Sequence, residues 1–424
     1  MKSNRRQFLR GSSAALAWIG VHKAVAQGGQ AAPPDAASGP ATAQHSEKYR
    51  ASVTPNGSTL PSHSVGGVKV FHLIAEEVLH TFAPGLEAHC WGYNGSVHGP
   101  TIEAQEGDVV RIYVTNRLPV PTTVHWHGMI VPNGMDGVGG LSQRPIEPGE
   151  TFKYEFPLLQ HGTFMYHSHH DEMTQMAMGL MGMIVVHPRE PQVAVVDRDY
   201  VYMLSEWKIA PGTRRPDPIE MSDFNVLTLN GTIFPATEAL VARPGERVRI
   251  RFGNLSAMDH HPMHLHGHAF QVVATDGGPL PESARYPETS VLVPVGSTRT
   301  IEFVAGYVGD WALHCHMTHH VMTQMGHGLP NMIGIDPTQI DEALMSSVPE
   351  YATMGDDGET VIPKNSLPMI GGRGPQGYIT MGGMFTILKI RADPAGDSGW
   401  AAIDAKTQAD VASPEDLAAD GIKI

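Results

Sequence analysis

The sequence predicts an all-β protein built from two tandem β-sandwiches followed by a C-terminal extension. Between residues 65 and 187, short runs of alternating apolar residues are separated by Gly, Pro and Asn turn signals, as is typical of sandwich strands. Long helical periodicity is missing from the same region. The order of motifs in this region returns further along the chain, which indicates that the sandwich is duplicated.

The duplication is visible in three pairs of matched segments. The pairs are EGDVVRIYVTN (106–116) with PGERVRIRFGN (244–254), HWHG (125–128) with HLHG (264–267), and GTFMYHSH (162–169) with GDWALHCH (309–316). Because the order is the same in both halves, we predict one sandwich over residues 65–192 and a second over residues 193–336. Residues 337–424 form the predicted extension. It holds one clear strand, MFTILKIRA, and its sequence does not decide between an edge strand and a contact with a neighbouring molecule.

The residues before the first sandwich predict a leader and a tether. Residues 1–26 contain paired arginines in NRRQFLR, a short apolar run and the small-residue cleavage site AVA, which together indicate a twin-arginine signal peptide. Residues 27–64 are rich in Ala, Pro, Gly and Ser, so we expect a flexible linker there. A periplasmic or secreted location follows from this interpretation.

Charge and hydropathy exclude two classes of partner. Loss of the leader removes five basic residues and no acidic ones, and so lowers the formal net charge from −14 to −19. A protein with this charge is not expected to bind nucleic acid or an anionic membrane surface. The rest of the sequence has no run of about 18 apolar residues, so no membrane span is expected either.

Histidines are the strongest functional signal. The chain has 24 of them, and many fall in four His-x-His motifs. Alternate side chains of a strand share one face, so each motif presents two imidazoles on the same side. The four pairs are His125 and His127, His167 and His169, His264 and His266, and His314 and His316. Eight buried imidazoles without a metal would carry a large desolvation cost, so we predict that they bind about three metal ions.

Cys315 indicates a second kind of metal site. It stands between the two histidines of its motif and faces the opposite side of the strand. Together with His261 and His320 it forms a His₂Cys set, and Met325 supplies a weak axial thioether. This is the ligand set of a blue-copper electron-transfer site.

The first half keeps its imidazole pairs but not the blue-copper ligands. Ser168 stands where the second half has Cys315, and Thr122 stands where it has His261. The second half alone therefore carries the mononuclear site. Together with a three-metal cluster, this site brings the predicted total to four coppers.

These motifs resemble the multicopper oxidase family, and within it the laccase-like, two-domain members whose blue-copper site is in the second domain. The resemblance runs from about residue 91 to residue 325, through WGYNG, GPTI, HWHG, MDGV, YHSH, HPMHLHGH and HCH. It implies that both sandwiches are cupredoxin-like Greek-key folds. The roles that it implies are His125 and His264 for type 2 copper; His127, His167, His169, His266, His314 and His316 for the type 3 pair; and His261, Cys315, His320 and Met325 for type 1 copper.

The resemblance also implies a reaction. The enzyme would oxidise a phenol or aromatic amine one electron at a time and reduce O₂ to water. Asp136, in MDGV, matches a family acid near the three-copper cluster and would relay protons; an ordinary Asp-Gly turn residue is the alternative.

Three other functions stay open at this point: a cuprous oxidase whose electron donor is Cu(I), a copper nitrite reductase, and a non-enzymatic copper-sequestering protein. Five methionines between Met173 and Met183 keep the first of these open, because thioethers bind Cu(I) but also fill cores. Cys90 is expected to be a buried apolar thiol rather than a ligand.

The three-copper cluster needs histidines from both halves, and only a short connection near residue 190 joins those halves. Head-to-tail contact between chains would bring them together, and such contacts close into rings. The resemblance to two-domain family members then implies a homotrimer with interchain clusters.

Overall fold

The computed structural model describes residues 49–190, 195–325, 362–369, 371–394, 399–403 and 408–423. The predicted signal peptide over residues 1–26 lies outside the described residues, as do most of the predicted linker and the first part of the predicted extension. Within the part that is described, no helix is long and apolar enough to cross a membrane.

Nine strands make up the first half. They are β1 Ser62–Val65, β2 Val68–Ala83, β3 Leu86–Tyr93, β4 Gly99–Gln105, β5 Val109–Asn116, β6 His125–His127, β7 Thr151–Pro157, β8 Gly162–His167 and β9 Met181–His187, with a 3₁₀ turn at Asn133–Met135 and a helix, α1, at Glu172–Ala177. One sheet has the order β1-β2-β5-β7 with β3 on β2, and the other has the order β4-β9-β8-β6. Buried residues from both sheets, such as Phe71, Trp126 and Ile184, share one core cluster, so the two sheets form a sandwich.

The second half repeats this plan with more strands. They are β10 Arg198–Trp207, β11 Val226–Leu229, β12 Leu240–Ala242, β13 Arg247–Asn254, β14 His261–Leu265, β15 Phe270–Thr275, β16 Gly278–Pro279, β17 Tyr286–Glu288, β18 Ser290–Val293, β19 Ser297–Val304, β20 Gly309–Cys315, β21 Arg373–Gly374, β22 Gly377–Tyr378 and β23 Phe385–Ile390. Short helical segments lie at Glu282–Ala284, Thr318–Val321 and Pro414–Ala419. The two main sheets have the orders β11-β10-β13-β19-β15-β16 and β12-β23-β20-β14-β18. The prediction of an all-β fold is confirmed.

The two halves share the pairing pattern that duplication predicts. In the first half β5 pairs in parallel with β2 and antiparallel with β7, and in the second half β13 pairs in the same way with β10 and β19. In the other sheets β4-β9-β8-β6 corresponds to β12-β23-β20-β14. By this correspondence β23 occupies in the second half the place of β9 in the first.

The position of β23 corrects the expected end of the second sandwich at residue 336. This strand comes from the predicted extension, yet it lies inside a sheet, parallel to β12 and antiparallel to β20. Phe385, Leu388 and Ile390 are buried, and Leu388 and Ile390 belong to the core cluster that contains Cys315. Because β12 and β20 pair with it on both sides, β23 is an interior strand rather than an edge strand.

The end of the predicted linker is also part of the fold. Ser62–Val65 pairs with β2 as strand β1, and Leu60 is buried in the first core. Further back, the backbone amide of Ser52 donates to Oε1 of the buried Glu103 over 2.7 Å. The prediction of a flexible linker over residues 27–64 is therefore wrong for the described residues, which begin at residue 49. Backbone pairing and the burial of Leu60 hold this segment in place, although its composition is typical of a flexible chain.

Two apolar clusters join the halves. One contains Cys90 together with Phe82 and Trp207, and the other contains Met165, Met181 and Met183 with Val201, Met203 and Leu255. Cys90 is 1% exposed and burial raises its pKa to about 12, in agreement with the expectation of an inert apolar thiol.

Candidate metal centres

The four histidines of the first half form one cluster. Strand β6 pairs with β8 so that His125 lies opposite His167. The ring centroid of His125 lies 5.7 Å from that of His127, and 5.4 Å from that of His167 and from that of His169. Trp126 points the other way and is fully buried in the core. The alternation expected for His-x-His on a strand is therefore present, and the core contact of the indole fixes the direction of both imidazoles.

Hydrogen bonds orient three of these rings. His125 donates from Nδ1 to the backbone oxygen of Asp136 over 2.8 Å, and His167 donates from Nδ1 to the oxygen of Ser168 over 2.8 Å. His127 uses Nε2 to donate to the oxygen of Gly296 over 2.9 Å, and its Nδ1 lies 3.2 Å from Nε2 of His167. With one nitrogen of each ring used in this way, the other nitrogen carries a lone pair that faces its neighbours.

Burial favours the neutral form of two histidines in the first cluster. It lowers the pKa of His167 to about 3, and it also lowers the pKa of His127. A neutral imidazole is the form that binds a metal ion.

The four histidines of the second half form a similar cluster at the ends of β14 and β20. The ring centroids of His264 and His266 are 4.7 Å apart, and Nε2 of His266 lies 3.0 Å from Nε2 of His314. His316 completes the group, with its ring centroid 5.5 Å from that of His314. His264 and His314 donate from Nδ1 to the backbone oxygens of Thr289 and Cys315, over 2.7 Å each.

Two members of the second cluster are open to solvent. The side chains of His266 and His316 are exposed, whereas His167 in the first cluster is 3% exposed. Among the residues that the structure describes, no ring of one cluster contacts a ring of the other. A single chain thus presents two separate groups of four imidazoles.

Cys315 belongs to a third, fully buried group. Its Sγ lies 3.8 Å from Nδ1 of His261 and 3.5 Å from Nδ1 of His320, and these two nitrogens are 3.1 Å apart. His261 and Cys315 have no exposed surface, and His320 is 5% exposed. The strand turns Cys315 away from its two flanking histidines, as alternation predicts.

The other ring nitrogens of this group have partners that sequence reasoning missed. Ser256 Oγ lies 2.7 Å from Nε2 of His261, and Asp259 Oδ2 lies 3.3 Å from Nε2 of His320. Asp259 stands two residues before His261 in MDHHPMHLHGH, which is the only sequence signal that points to it. With Nε2 engaged, both Nδ1 lone pairs converge on the thiol.

Met325, the expected axial ligand, lies against the second core. It is partly buried and packs against the core cluster that contains Cys315. Its backbone amide donates to the oxygen of Asn225 over 2.9 Å, which fixes the position of the residue on the second sandwich.

In the first half, hydrogen bonds occupy the position that corresponds to this group. Thr122 Oγ1 donates to Oε1 of Gln175 over 2.6 Å, and Ser168 Oγ donates to the same oxygen. All three side chains are fully buried. Thr122 and Ser168 stand where the second half has His261 and Cys315, as the sequence showed. Gln175 is a third polar residue at this position, and the sequence analysis did not single it out.

Asp136 lies beside the first cluster. Oδ1 of Asp136 is 3.3 Å from Nδ1 of His125. The backbone oxygen of Asp136 accepts the hydrogen bond from that same nitrogen. The side chain of Asp136 is 33% exposed. Gly137 follows with a positive φ of 83°, and a Cβ atom there would meet the oxygen of Val124 at 1.8 Å. The turn therefore requires glycine after Asp136, which positions the carboxylate at the rim of the cluster.

Two sequence models of known families, both described as multicopper oxidase, match residues 75–191 and 210–332. Together the two matches cover more than half of the sequence. The chain belongs to the multicopper oxidase family. Copper is therefore the metal that the family implies for these groups.

Relatives of this multicopper oxidase have different names. Copper resistance protein A of Escherichia coli is 32% identical over 241 residues, which are 46% of this chain and 40% of the relative. Laccase-1 of Botryotinia fuckeliana is 33% identical over 228 residues, which are 50% of this chain and 39% of the relative. The chain thus spans about two fifths of the length of these curated relatives.

Solved structures support the same fold. A blue copper oxidase from Nitrosomonas europaea is similar with a TM-score of 0.57 and 27% identity, over 76% of this chain and 85% of that one. A copper nitrite reductase from the same organism has a TM-score of 0.51 and 26% identity, over 59% of this chain and 89% of that one. Both structures are similar in fold to this chain, so the donor sets must distinguish between their activities.

The buried group fits copper. Two Nδ1 atoms only 3.1 Å apart need a proton or a cation between them, and a cation would also serve the neighbouring sulfur. Burial raises the pKa of Cys315 to about 12, so the thiolate also needs a cation to balance its charge. A three-donor His₂Cys set with a thioether nearby is the arrangement that selects copper over zinc or iron.

Proposed function

We propose that this multicopper oxidase couples one-electron oxidation of a reducing substrate to the four-electron reduction of O₂ to water. Copper held by the two kinds of donor set would supply the redox chemistry, by accepting single electrons and passing them to O₂. The observation that carries the proposal is the position of Cys315. Its side chain lies in the His₂Cys group, while its backbone continues directly into His314 and His316 of the second imidazole cluster. An electron at the sulfur therefore has a short covalent path to those imidazoles.

We propose four coppers for each complete unit, with the ligands expected from the sequence. Type 2 copper would be held by His125 and His264; the type 3 pair by His127, His167, His169, His266, His314 and His316; and type 1 copper by His261, Cys315, His320 and Met325. The ring distances within each half support the two fourfold imidazole groups, and the donor atoms of the His₂Cys group lie within 4.8 Å of one another. Met325 is proposed as the axial ligand because it packs against the core cluster that contains Cys315.

The donor sets argue against the two alternatives without oxidase activity. A copper nitrite reductase carries its blue-copper cysteine in the first domain, where this chain has Ser168 in a hydrogen-bonded group. The other cysteine, Cys90, lies in an apolar cluster and is in neither of the groups of possible metal ligands found among the described residues. A copper-sequestering protein has no need for two groups of four oriented imidazoles.

Replacement of Cys315 tests the oxidase. Cys315→Ser in copper-loaded protein should abolish the intense thiolate-to-copper colour and the O₂ uptake with a phenol as donor, while three coppers remain bound. Cys90→Ser is the matched control, since Cys90 is equally buried and should keep both colour and activity. Retention of colour in Cys315→Ser, or its loss in Cys90→Ser, would refute the ligand assignment.

We also propose that the three-copper clusters form between chains in a homotrimer. The support is the exposure of His266 and His316 and the separation of the two imidazole groups within one chain. Head-to-tail contact in a closed ring would place the first cluster of one chain against the second cluster of its neighbour.

Complementation tests the trimer. His167→Ala and His316→Ala chains should each be inactive, and co-expression should restore O₂ uptake because some interfaces then join two intact clusters. A control mixture of His167→Ala with His169→Ala should stay inactive, since both changes fall in the same cluster. If the first mixture stays inactive although mixed oligomers form, the clusters lie within single chains.

We propose that the protein is exported by the twin-arginine route to the periplasm or the exterior. The paired Arg5 and Arg6 carry this proposal. Replacement of both by lysine should retain the precursor in the cytoplasm, as measured by cell fractionation.

A further inference from the structure

A backbone oxygen of the second half contacts an imidazole of the first. His127 donates from Nε2 to the oxygen of Gly296 over 2.9 Å. Four other cluster histidines also donate to backbone oxygens, and each of them uses Nδ1 and an acceptor in its own half; they are His125, His167, His264 and His314. His127 therefore differs from these four in the nitrogen that it uses and in the half that supplies its partner.

The choice of nitrogen determines which atom of the ring can bind a metal ion. A neutral imidazole has one N–H and one lone pair, so donation from one nitrogen leaves the lone pair on the other. Nδ1 of His127 lies 3.2 Å from Nε2 of His167, inside the first cluster. His266 is the counterpart of His127 in the second half, and it instead directs Nε2 to its neighbour His314, over 3.0 Å. The two halves thus differ at equivalent positions.

Hydrogen bonds fix the turn that carries the oxygen of Gly296. The amide of Ser297 donates to the oxygen of Pro294 over 3.2 Å, and φ of Gly296 is 71°. At the third position of such a four-residue turn, a positive φ requires glycine or asparagine. The amide of Gly296 donates to the oxygen of Asn254 over 2.9 Å, so a neighbouring strand also holds the turn.

Buried contacts fix the same turn against the first half. Strand β19 begins directly after it, and Thr298 Oγ1 donates to the oxygen of Thr163 in β8 over 2.9 Å. Both threonines are buried. Strand β8 ends at His167, so the strand that anchors the turn also carries a histidine of the first cluster. The position of the turn is therefore fixed relative to that cluster.

We propose that Gly296 is a positioning residue for His127, because its oxygen holds the imidazole so that Nδ1 is the nitrogen available to type 3 copper. The inference rests on the proposed role of His127 as a type 3 ligand. It gives the second half of each chain a function at the first cluster of the same chain. Partners that accept the second N–H of a ligating histidine fix its ring, and their loss costs about 10–100-fold in metal affinity.

Two substitutions of similar size at residue 296 test the proposal. Asparagine adopts a positive φ more readily than leucine, so Gly296→Leu should shift the turn and Gly296→Asn should not. We expect Gly296→Leu to weaken the affinity for type 3 copper at least about tenfold, and Gly296→Asn to retain the wild-type affinity. Competition with a chelator measures the affinity. Electron paramagnetic resonance follows the type 3 pair, whose two coupled Cu²⁺ spins give no signal, and this silent share of the copper should fall in Gly296→Leu.

Gly245→Leu is the matched control. Gly245 also has a positive φ, of 86°, in a turn of the second half, and a Cβ atom there would meet no atom within 4 Å. Gly245→Leu should destabilise metal-free protein about as much as Gly296→Leu in thermal unfolding, but should bind copper like wild type. If Gly296→Leu does not fold, Gly296→Ala replaces it, since a Cβ atom there would lie 3.8 Å from Cε1 of His127. It should lose affinity in the same direction.

Three results would overturn the positioning role. They are wild-type copper affinity and silent copper in Gly296→Leu or its alanine replacement, an equal loss of copper in Gly245→Leu, and an equal loss in Gly296→Asn.

His127→Ala separates this inference from the ligand assignment on which it rests. If wild-type protein has no silent copper pair, or if His127→Ala keeps it, the ligand assignment fails and the inference fails with it. If His127→Ala loses the pair while Gly296→Leu keeps it, the ligand assignment stands and only the positioning role fails.

Discussion

Leu388 tests whether the returning strand β23 is an integral part of the second core. The residue is fully buried, lies opposite Leu240 on one side and Trp311 on the other, and shares a core cluster with Cys315. Leu388→Ala removes three carbon atoms from this core and leaves a cavity. Changes of this kind cost about 2–5 kcal/mol, and we expect about 3 kcal/mol because strands on both sides hold the backbone and limit collapse.

The assay is thermal unfolding of metal-free protein, since bound copper would add its own stabilisation. For a unit of roughly 150–250 residues, about 3 kcal/mol corresponds to a decrease of roughly 6–12 °C in Tm. Val411→Ala is the control from the same C-terminal region; Val411 is 92% exposed, and its loss should change stability by no more than about 0.5 kcal/mol. If Leu388→Ala melts at the same temperature as Val411→Ala, β23 does not belong to the core and the strand order is wrong.

Three further predictions concern the metal centres and a buried carboxylate. Met325→Leu should raise the reduction potential of the type 1 site in a redox titration, because a weak thioether donor is lost, while stability changes by less than about 1.5 kcal/mol. Asp136→Asn should lower the turnover of O₂ by roughly 10²–10⁴-fold if the carboxylate relays protons, with copper content unchanged because His125 donates to the backbone oxygen, which asparagine retains. Burial opposes ionisation of Glu103, but hydrogen bonds, above all that from His187 over 2.6 Å, hold the pKa of this carboxyl below its ordinary value. Its contribution to stability is therefore present above about pH 4.3 and lost as the pH falls further, so Glu103→Gln should be less stable than wild type at neutral pH and the difference should shrink in acid-induced unfolding.

Local periodicity explains why much of the site could be predicted from the sequence. The alternation of a strand determines that Trp126 enters the core while His125 and His127 do not, and it turns Cys315 away from His314. Such relations depend on neighbours one or two residues apart. They are therefore readable wherever the strand itself is recognisable.

Long-range pairing explains most of what the sequence left undecided. Strand β23 pairs with β20, so that Ile390 lies opposite Gly309, which is far away in the sequence. Nothing in the residues of β23 identifies that partner. Ser256 and Asp259 lie in a loop whose path depends on the whole sandwich, so their contacts with the imidazoles follow from tertiary structure alone. The linker was misjudged for the same reason, since its fixed position depends on distant partners such as Glu103.

The buried trio of Thr122, Ser168 and Gln175 constrains how duplicated halves can diverge in evolution. Both hydroxyls donate to the same amide oxygen, and without it they keep longer contacts with backbone oxygens, of 3.4 Å for Thr122 and 3.2 Å for Ser168. A buried polar group that loses a good partner is destabilising by about 1–3 kcal/mol. A single change at one of these three positions therefore disturbs the other two. Compensating changes at all three would be needed to give the first half a buried metal group like that of the second half.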